Sequence, residues 1–460
     1  MLLRYFYDEK LAHASYLVGC QKTGEAIVVD PMRNITPYLE TAKKEGLHIV
    51  GALETHIHAD FVAGSRELAA ETSATMYISD EGDENWKYEN LDGITAQLLK
   101  DGDSFPIGNL KFEVMHTPGH TPESISFLLT DQGGGADKPM GIFTGDFVFV
   151  GDVGRPDLLE KAAGIVGTSE SGAKAMYQSI EKFKQLPDYL QVWPAHGAGS
   201  ACGKSLGAVP SSTVGYEKEF NWAMRFSDEA SFMKALLEGQ PEPPRYFAVM
   251  KRVNKVGVPL VHELPAVKKM EGDIIANYVS NGHLVVDTRP SDPFKVQHLE
   301  KTVNVPFDAS FTNWMGWIVD YDTPFYLIAE DEEIEAIKIA LRSIGIDNLA
   351  GYAIPEDVKF NDVYEEIEPK DVREYLQQGA HLIDVRNLTE WEAGHIEDAQ
   401  HIMLGSLNRR IEEIPQAEQV IVQCQSGARS AIGTSILRRH GINAINMIGG
   451  YNRYESEVVK

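Results

Sequence analysis

Short apolar runs broken by turns dominate the first 150 residues: SYLVG, EAIVVD, HIVGALETH, ATMYIS, ITAQLL, LKFEVMHTPG, SISFLLT and GIFTGDFVFV. Some alternate apolar and polar positions, as a half-buried strand does; others are continuously apolar, as in a strand covered on both faces. Helical spacing is interspersed, over 34–46 and 63–71. The mixture predicts sheets covered by helices rather than a doubly wound domain alone. The stretch 131–139 (DQGGGADKP) reads as a surface loop, and 171–186 as a helix leading to a strand that enters WPAHGAGSACG. Residues 216–239 are helical in pattern, and Pro241, Pro243 and Pro244 then mark a domain boundary.

The second half repeats itself. NGHLVVDTRPSDPFKVQHLEKTVNVPF (281–307) aligns with QGAHLIDVRNLTEWEAGHIEDAQHIML (378–404), so that Asp287, Arg289 and His298 stand 97 residues before Asp384, Arg386 and His395. LRSIGI (341–346) recurs as LRRHGI (437–442), and Gly351-Tyr352 as Gly450-Tyr451. Each copy alternates strands and helices, which predicts a small domain with a mainly parallel sheet. The expected organisation is a first domain over 1–240, a linker over 241–257, and repeat domains over 258–355 and 356–460.

Composition narrows the function. At 460 residues the chain is too long for one core. Its formal net charge of −26 argues against nucleic acid or an anionic membrane as main partner, although one loop can still hold a small anion. The opening MLLRYFYDEK places charges where a secretory signal needs apolar residues, and no run of 18 apolar residues occurs. Only Cys20, Cys202 and Cys424 are present, too few for a disulfide framework. A reducing, cytoplasmic setting is expected.

The sharpest local signal is Thr55-His56-Ile57-His58-Ala59-Asp60, directly after the apolar run IVGAL. His120 in HTPGHTPES, Asp146 in FTGD and His196 in WPAHG each follow another strand-like run. Loops gathered at one edge of packed sheets can assemble metal ligands remote in sequence. This pattern resembles the metallo-β-lactamase fold superfamily, with Phe61 where its HxHxDH signature has a final His. Phe61 cannot coordinate, which removes a ligand from a second metal site. The chain more closely resembles the persulfide dioxygenases, a branch of that superfamily, and GDVGRPD (151–157) is similar to a segment of the same branch. The resemblance implies one Fe2+ per chain held by His56, His120 and Asp146, with Zn2+ open as the occupant of purified protein. His58, Asp60 and His196 then stand behind these ligands or are vestigial, and Arg155, with Asp157, is placed near the substrate. Two imidazoles and a carboxylate would leave coordination positions open for a persulfide and O2.

In EQVIVQCQSGARSAIGTSILRRHG, Cys424 ends an apolar strand, and Gln425, Ser426, Gly427, Ala428 and Arg429 lead into a helix. Backbone N–H groups in such a turn form an anion nest and favour a thiolate, and Arg429 can add charge. The loop, with LIDVR, EWEAGHI and MIGGYNRY around it, looks like that of the rhodaneses, implying a persulfide-forming Cys424 with substrate held by residues 425–428. Four residues separate Cys424 from Arg429, whereas the phosphatase loop has five. In the first copy the Cys position falls on Ile328 or Ala329, followed by Glu330, Asp331, Glu332 and Glu333, which would repel an anion. That copy is expected to be catalytically silent, with Trp314 and Trp317 in a contact or in the core.

The whole chain resembles bacterial persulfide dioxygenase–rhodanese fusions: an αββα metallo-β-lactamase fold followed by two rhodanese-like α/β domains. The implied function is oxidation of a low-molecular-weight persulfide (glutathione, coenzyme A or similar) by O2 to sulfite, with Cys424 making or using thiosulfate, in a homo-oligomer. Cys20 reads as structural. Cys202, on a glycine-rich loop beside His196, is a catalytic candidate, to contact a thiol substrate or to hold sulfur in transit. Two alternatives stay open: a two-metal thiolester hydrolase resembling glyoxalase II, and a sulfur carrier or scaffold without turnover.

Overall fold

The computed structural model describes every residue except 164–166, 241, 416–418 and 460, so Pro241 lies outside the described residues. The chain divides into two compact units, Met1–Leu264 with Arg342–Gly345, and Pro265–Leu341 with Ile346–Lys460.

Two six-stranded sheets build the first unit. One contains β1 (Leu2–Asp8), β2 (His13–Cys20), β3 (Glu25–Val29), β4 (His48–Leu53), β5 (Thr75–Ser79) and β6 (Ala96–Leu99) in sequential order. The other contains β7 (Ser104–Ile107), β8 (Leu110–His116), β9 (Ile125–Asp131), β10 (Gly141–Gly145), β13 (Gln191–Pro194) and β14 (Ser212–Thr213), ordered β14-β13-β10-β9-β8-β7. A hairpin of β11 (Val148–Phe149) and β12 (Asp152–Val153) follows β10. The continuously apolar runs are explained by burial on both faces. Tyr16, Val18, Ile27 and Val29 meet Phe112, Phe127, Leu129 and Phe143 between the sheets. Leu17, Ala26 and Val28 point the other way, onto Tyr38, Ala42 and Leu68 of the helices Thr36–Glu45 and Ser65–Thr72. Ile142 and Val192 likewise pack under Ile180, Phe183 and Phe232 of the helices Thr168–Phe183 and Glu229–Leu237. The layers are therefore α, β, β, α. Residues 241–257, expected to form a linker, instead contain the helix Tyr246–Val256, whose apolar face buries Phe247 and Met250.

The second unit contains two five-stranded sheets, parallel throughout. The first is β15 (Lys268–Lys269), β16 (Val285–Asp287), β17 (Val303–Asn304), β18 (Phe325–Ile328) and β19 (Leu349–Ala353), ordered β15-β19-β18-β16-β17. The second is β20 (Glu366–Ile367), β21 (His381–Asp384), β22 (Gln400–His401), β23 (Val420–Gln423) and β24 (Ala444–Met447), ordered β20-β24-β23-β21-β22. The internal repeat is thus a repeat of topology. Its Asp-x-Arg pair makes the same ion pair twice, Arg289 Nη2 to Asp287 at 2.6 Å and Arg386 Nη2 to Asp384 at 2.7 Å. One proposed equivalence does not hold. Gly351 and Tyr352 lie within β19, whereas Gly450 and Tyr451 open the helix Gly450–Tyr454 after β24.

Register also resolves where the first copy lost its cysteine. Asp287 pairs with Ile328 as Asp384 pairs with Gln423, so Ala329 occupies the position of Cys424. The copies pack on each other: Asn304 N–H donates to Ser435 Oγ at 2.9 Å, and Trp317 lies against Gly405, where an added Cβ would fall 2.3 Å from the indole. Among the described residues no helix is long and apolar enough to cross a membrane. Phe127 is wholly buried between the sheets. Phe127→Ala is expected to cost about 3–5 kcal/mol, read as a lower midpoint in denaturant unfolding.

Candidate metal centre and cysteine loop

The strand ends predicted to carry ligands converge. β4 runs into His56, His58 and Asp60; β8 leads to His120, β10 to Asp146 and β13 to His196, and all six side chains are buried. His56, His120 and Asp146 each offer a ligand atom, with the three atoms within 4.8 Å of one another. Asp60, His196 and Cys202 form a second such group. Asp146 stands between them, its Oδ2 3.4 Å from His120 Nε2 and its Oδ1 3.4 Å from His196 Nε2.

Hydrogen bonds fix which imidazole nitrogen faces the centre. His120 Nδ1 donates to the Arg155 carbonyl at 2.9 Å, which turns Nε2 inward as a lone pair. His56 Nδ1 lies 3.0 Å from Thr55 Oγ1. That hydroxyl already gives its proton to Asp30 Oδ2 at 2.9 Å, so it accepts from His56 and leaves His56 Nε2 bare. His56 Nε2 and both Asp146 oxygens are buried without a hydrogen-bond partner. A buried acceptor left unpaired costs stability, and His56 Nε2 with Asp146 Oδ2, 3.9 Å apart and both near His120 Nε2, fit a cation. Burial, then His58 and His120, push His56 well below the usual histidine range, which favours a neutral imidazole able to act as a ligand. His58 differs. Its Nε2 contacts Asp30 at 3.1 Å, and although burial opposes the charge, Asp30, Asp60 and Glu54 raise it to about 9.

Sequence reasoning missed Asp30, His13 and Glu123. Asp30 is 2 % exposed, sits at φ +47°, and accepts from Thr55 N–H, Thr55 Oγ and His58. Its signal was available, since EAIVVD places it at a strand end like the ligands. Glu123 Oε1 accepts from Ile57 N–H at 2.8 Å, and burial pushes its carboxyl up to about 7. His13 packs against Phe61 at a tilt, 3.9 Å between ring centres, and burial lowers it to about 3. Asn254, from the helix within the expected linker, donates to the carbonyls of His58 and Phe61 and so clamps the same loop.

Arg155 is not free to bind a substrate as expected. It is fully buried, with Nε and Nη2 each 2.7 Å from Asp157 and Nη1 on the Ala201 carbonyl. It positions other groups: its carbonyl holds His120, and its N–H donates to the Cys202 carbonyl at 3.0 Å. Cys202 is 1 % exposed, and burial together with Asp146 and Asp60 drives its thiol far up. Cys20 is buried at the end of β2, away from either group, where Asn109 N–H donates to its sulfur.

In the second unit Cys424 follows β23, with its sulfur facing Gly427 N–H at 3.2 Å and Ser430 Oγ at 3.4 Å. Gly427 stands at φ +100°, a conformation that lets the loop turn into the helix Ala428–Arg439. Gly450 presses on the loop from behind; a Cβ there would fall 2.2 Å from the Cys424 carbonyl. Arg386 Nη1 holds the Gln425 side chain at 3.0 Å. Ser426 is exposed, and Arg429 makes a bidentate pair with Glu390 at 2.6 and 2.7 Å.

A family model described as the metallo-beta-lactamase superfamily matches residues 9–196, and one described as the rhodanese-like domain matches 368–457. Persulfide dioxygenase ETHE1, mitochondrial, of Homo sapiens is 30% identical over 199 residues, 43% of this chain and 68% of that protein. Hydroxyacylglutathione hydrolase of Tolumonas auensis is 33% identical over 184 residues, 40% of this chain and 61% of that one. Among solved structures, a metallo-beta-lactamase from Staphylococcus aureus subsp. aureus COL has 46% identity and a TM-score of 0.70, covering 77% of this chain and 99% of its own.

Asp30→Asn keeps a residue tolerant of positive φ but removes the charge that holds Thr55 and His58. It is expected to weaken metal binding by about 10–100-fold, measured by competition with a chelator.

Proposed function

From the premise that this chain belongs to the metallo-beta-lactamase superfamily, with a rhodanese-like domain fused behind it and ETHE1-type persulfide dioxygenases among its relatives, we propose that it is a persulfide dioxygenase and sulfurtransferase. The observation that carries the first activity is the buried group of His56, His120 and Asp146 with its unpartnered acceptors. Two neutral imidazoles and one carboxylate suit Fe2+. Such an ion, once bound, would supply open positions for O2 and a persulfide and the electrons for oxidation. In net terms a persulfide R–S–S–H, O2 and water give R–S–H and sulfite.

The chain's own residues prepare that reaction. Arg155 and the Asp30–Thr55 pair fix the tautomers of His120 and His56. Phe61 and His13 close the loop behind them against water, both at 1 % exposure or less. His196 keeps its Nε2 3.0 Å from Asp60, where burial works against its charge but Asp146 and Asp60 favour it. In the second unit, Cys424 would take sulfane sulfur as a persulfide within the nest of Gly427 N–H and Ser430 Oγ and pass it to sulfite, giving thiosulfate, or run in reverse.

One observation favours the two-metal thiolester hydrolase reading: Asp60, His196 and Cys202 also converge. Metal content separates the two. One iron per chain with persulfide-dependent O2 uptake supports the dioxygenase; two ions per chain with thioester cleavage and no O2 uptake overturns it. His56→Ala should lower bound metal and abolish O2 uptake, whereas Cys424→Ser should leave sulfite production intact and lose thiosulfate formation. Uptake that persists in His56→Ala would refute the assigned centre.

A further inference from the structure

The two repeat copies enclose a cavity of about 600 Å³. One wall is Ala428 and Arg429, which follow directly on Gly427, the residue donating its N–H to the Cys424 sulfur. The facing wall comes from the copy without a cysteine and includes Arg289, Trp314, Glu330 and Glu333. Glu330 lies one residue after Ala329, the counterpart of Cys424. The acidic stretch after Ala329 and the loop after Cys424 therefore line one cavity.

The charges on these walls are not equivalent. Both arginines already hold carboxylates, Arg289 that of Asp287 and Arg429 that of Glu390. Glu330 and Glu333 have no cation within ion-pair distance among the described residues, although Glu330 is partly buried. Burial, then the neighbouring Glu356, Glu333 and Glu332, push the Glu330 carboxyl up, with Arg289 only partly opposing them. A cavity with uncompensated carboxylates on one side and a 9 % exposed indole at Trp314 is complementary to a small cation with an apolar stem. Its volume lies in the range of small-molecule sites, about 300–1,000 Å³.

We infer that this cavity receives the body of the thiol that exchanges sulfane sulfur with Cys424, and that Glu330 and Glu333 select thiols carrying an ammonium group. The silent copy is then a specificity element for the active one. The inference rests on the sulfurtransferase reading. In the step concerned, the Cys424 thiolate attacks the outer sulfur of thiosulfate, the S–S bond breaks, and sulfite leaves with the electron pair. The acceptor thiolate then attacks the outer sulfur of the Cys424 persulfide, forming R–S–S⁻ and returning the pair to Cys424.

The test uses the full chain with thiosulfate as donor and three acceptors. Cysteamine carries an ammonium, 3-mercaptopropionate a carboxylate, and cyanide, which takes the sulfur as thiocyanate, is too small to need the cavity. Cysteamine is expected to have the lower KM of the two thiols. Glu330→Gln with Glu333→Gln should raise the KM for cysteamine relative to that for cyanide roughly tenfold and spare 3-mercaptopropionate. Glu333→Lys, a change on a partly exposed side chain, should reverse the preference between the thiols. An unchanged cysteamine-to-mercaptopropionate ratio, in variants that still form thiocyanate, overturns the inference. Absence of thiocyanate formation by the unaltered chain overturns the sulfurtransferase reading instead.

Discussion

One buried carboxylate organises the first unit's centre. Asp30 stands at the end of β3 in a left-handed conformation and binds the Thr55 amide, the Thr55 hydroxyl and His58. Because the Thr55 hydroxyl is committed to Asp30, its remaining lone pair fixes the His56 tautomer. The same carboxylate draws His58 out of the ligand group by holding its Nε2. A backbone held at positive φ costs energy in a non-glycine residue, and three hydrogen bonds to one carboxylate offset it. The loop His56–Asp60 is thereby clamped from three sides, by Asp30, by Glu123 at Ile57 and by Asn254 at His58 and Phe61.

The second unit shows one strand order used twice with different loops after the central strand. Both sheets have the same strand order, and both keep the Asp-x-Arg ion pair beneath the loop. What differs is the residue after the central strand and the few that follow. Cys424 is met by Gly427 N–H and Ser430 Oγ; Ala329 is followed by carboxylates that share a cavity wall with no partnering cation among the described residues. The core of the copy without a cysteine and its packing through Asn304 and Trp317 are built from residues outside that loop.

The layered first unit, the parallel repeat and the strand-end positions of His56, His120, Asp146, His196 and Cys424 were legible in the sequence. Apolar periodicity reports burial, and the residue after an apolar run falls at a sheet edge whatever the sheet's partners are. Strand pairing across the repeat, the helix within 241–257 and the misaligned Gly-Tyr pair were not legible. Prolines near a helix start look like a linker, and two glycines can satisfy different backbone demands in similar letters.

What the sequence by itself determined is therefore the inventory of reactive side chains and the edges on which they sit. Only the tertiary structure decided which of them meet: Cys202 beside Asp60 and His196, Arg155 committed to Asp157, Ala329 at the vacant cysteine position, and Glu330 across a cavity from Arg429. Local patterns encode burial and turn chemistry over a few residues. Hydrogen-bond direction and ligand distance arise between segments remote in the chain, and these appear only when the sheets close on one another.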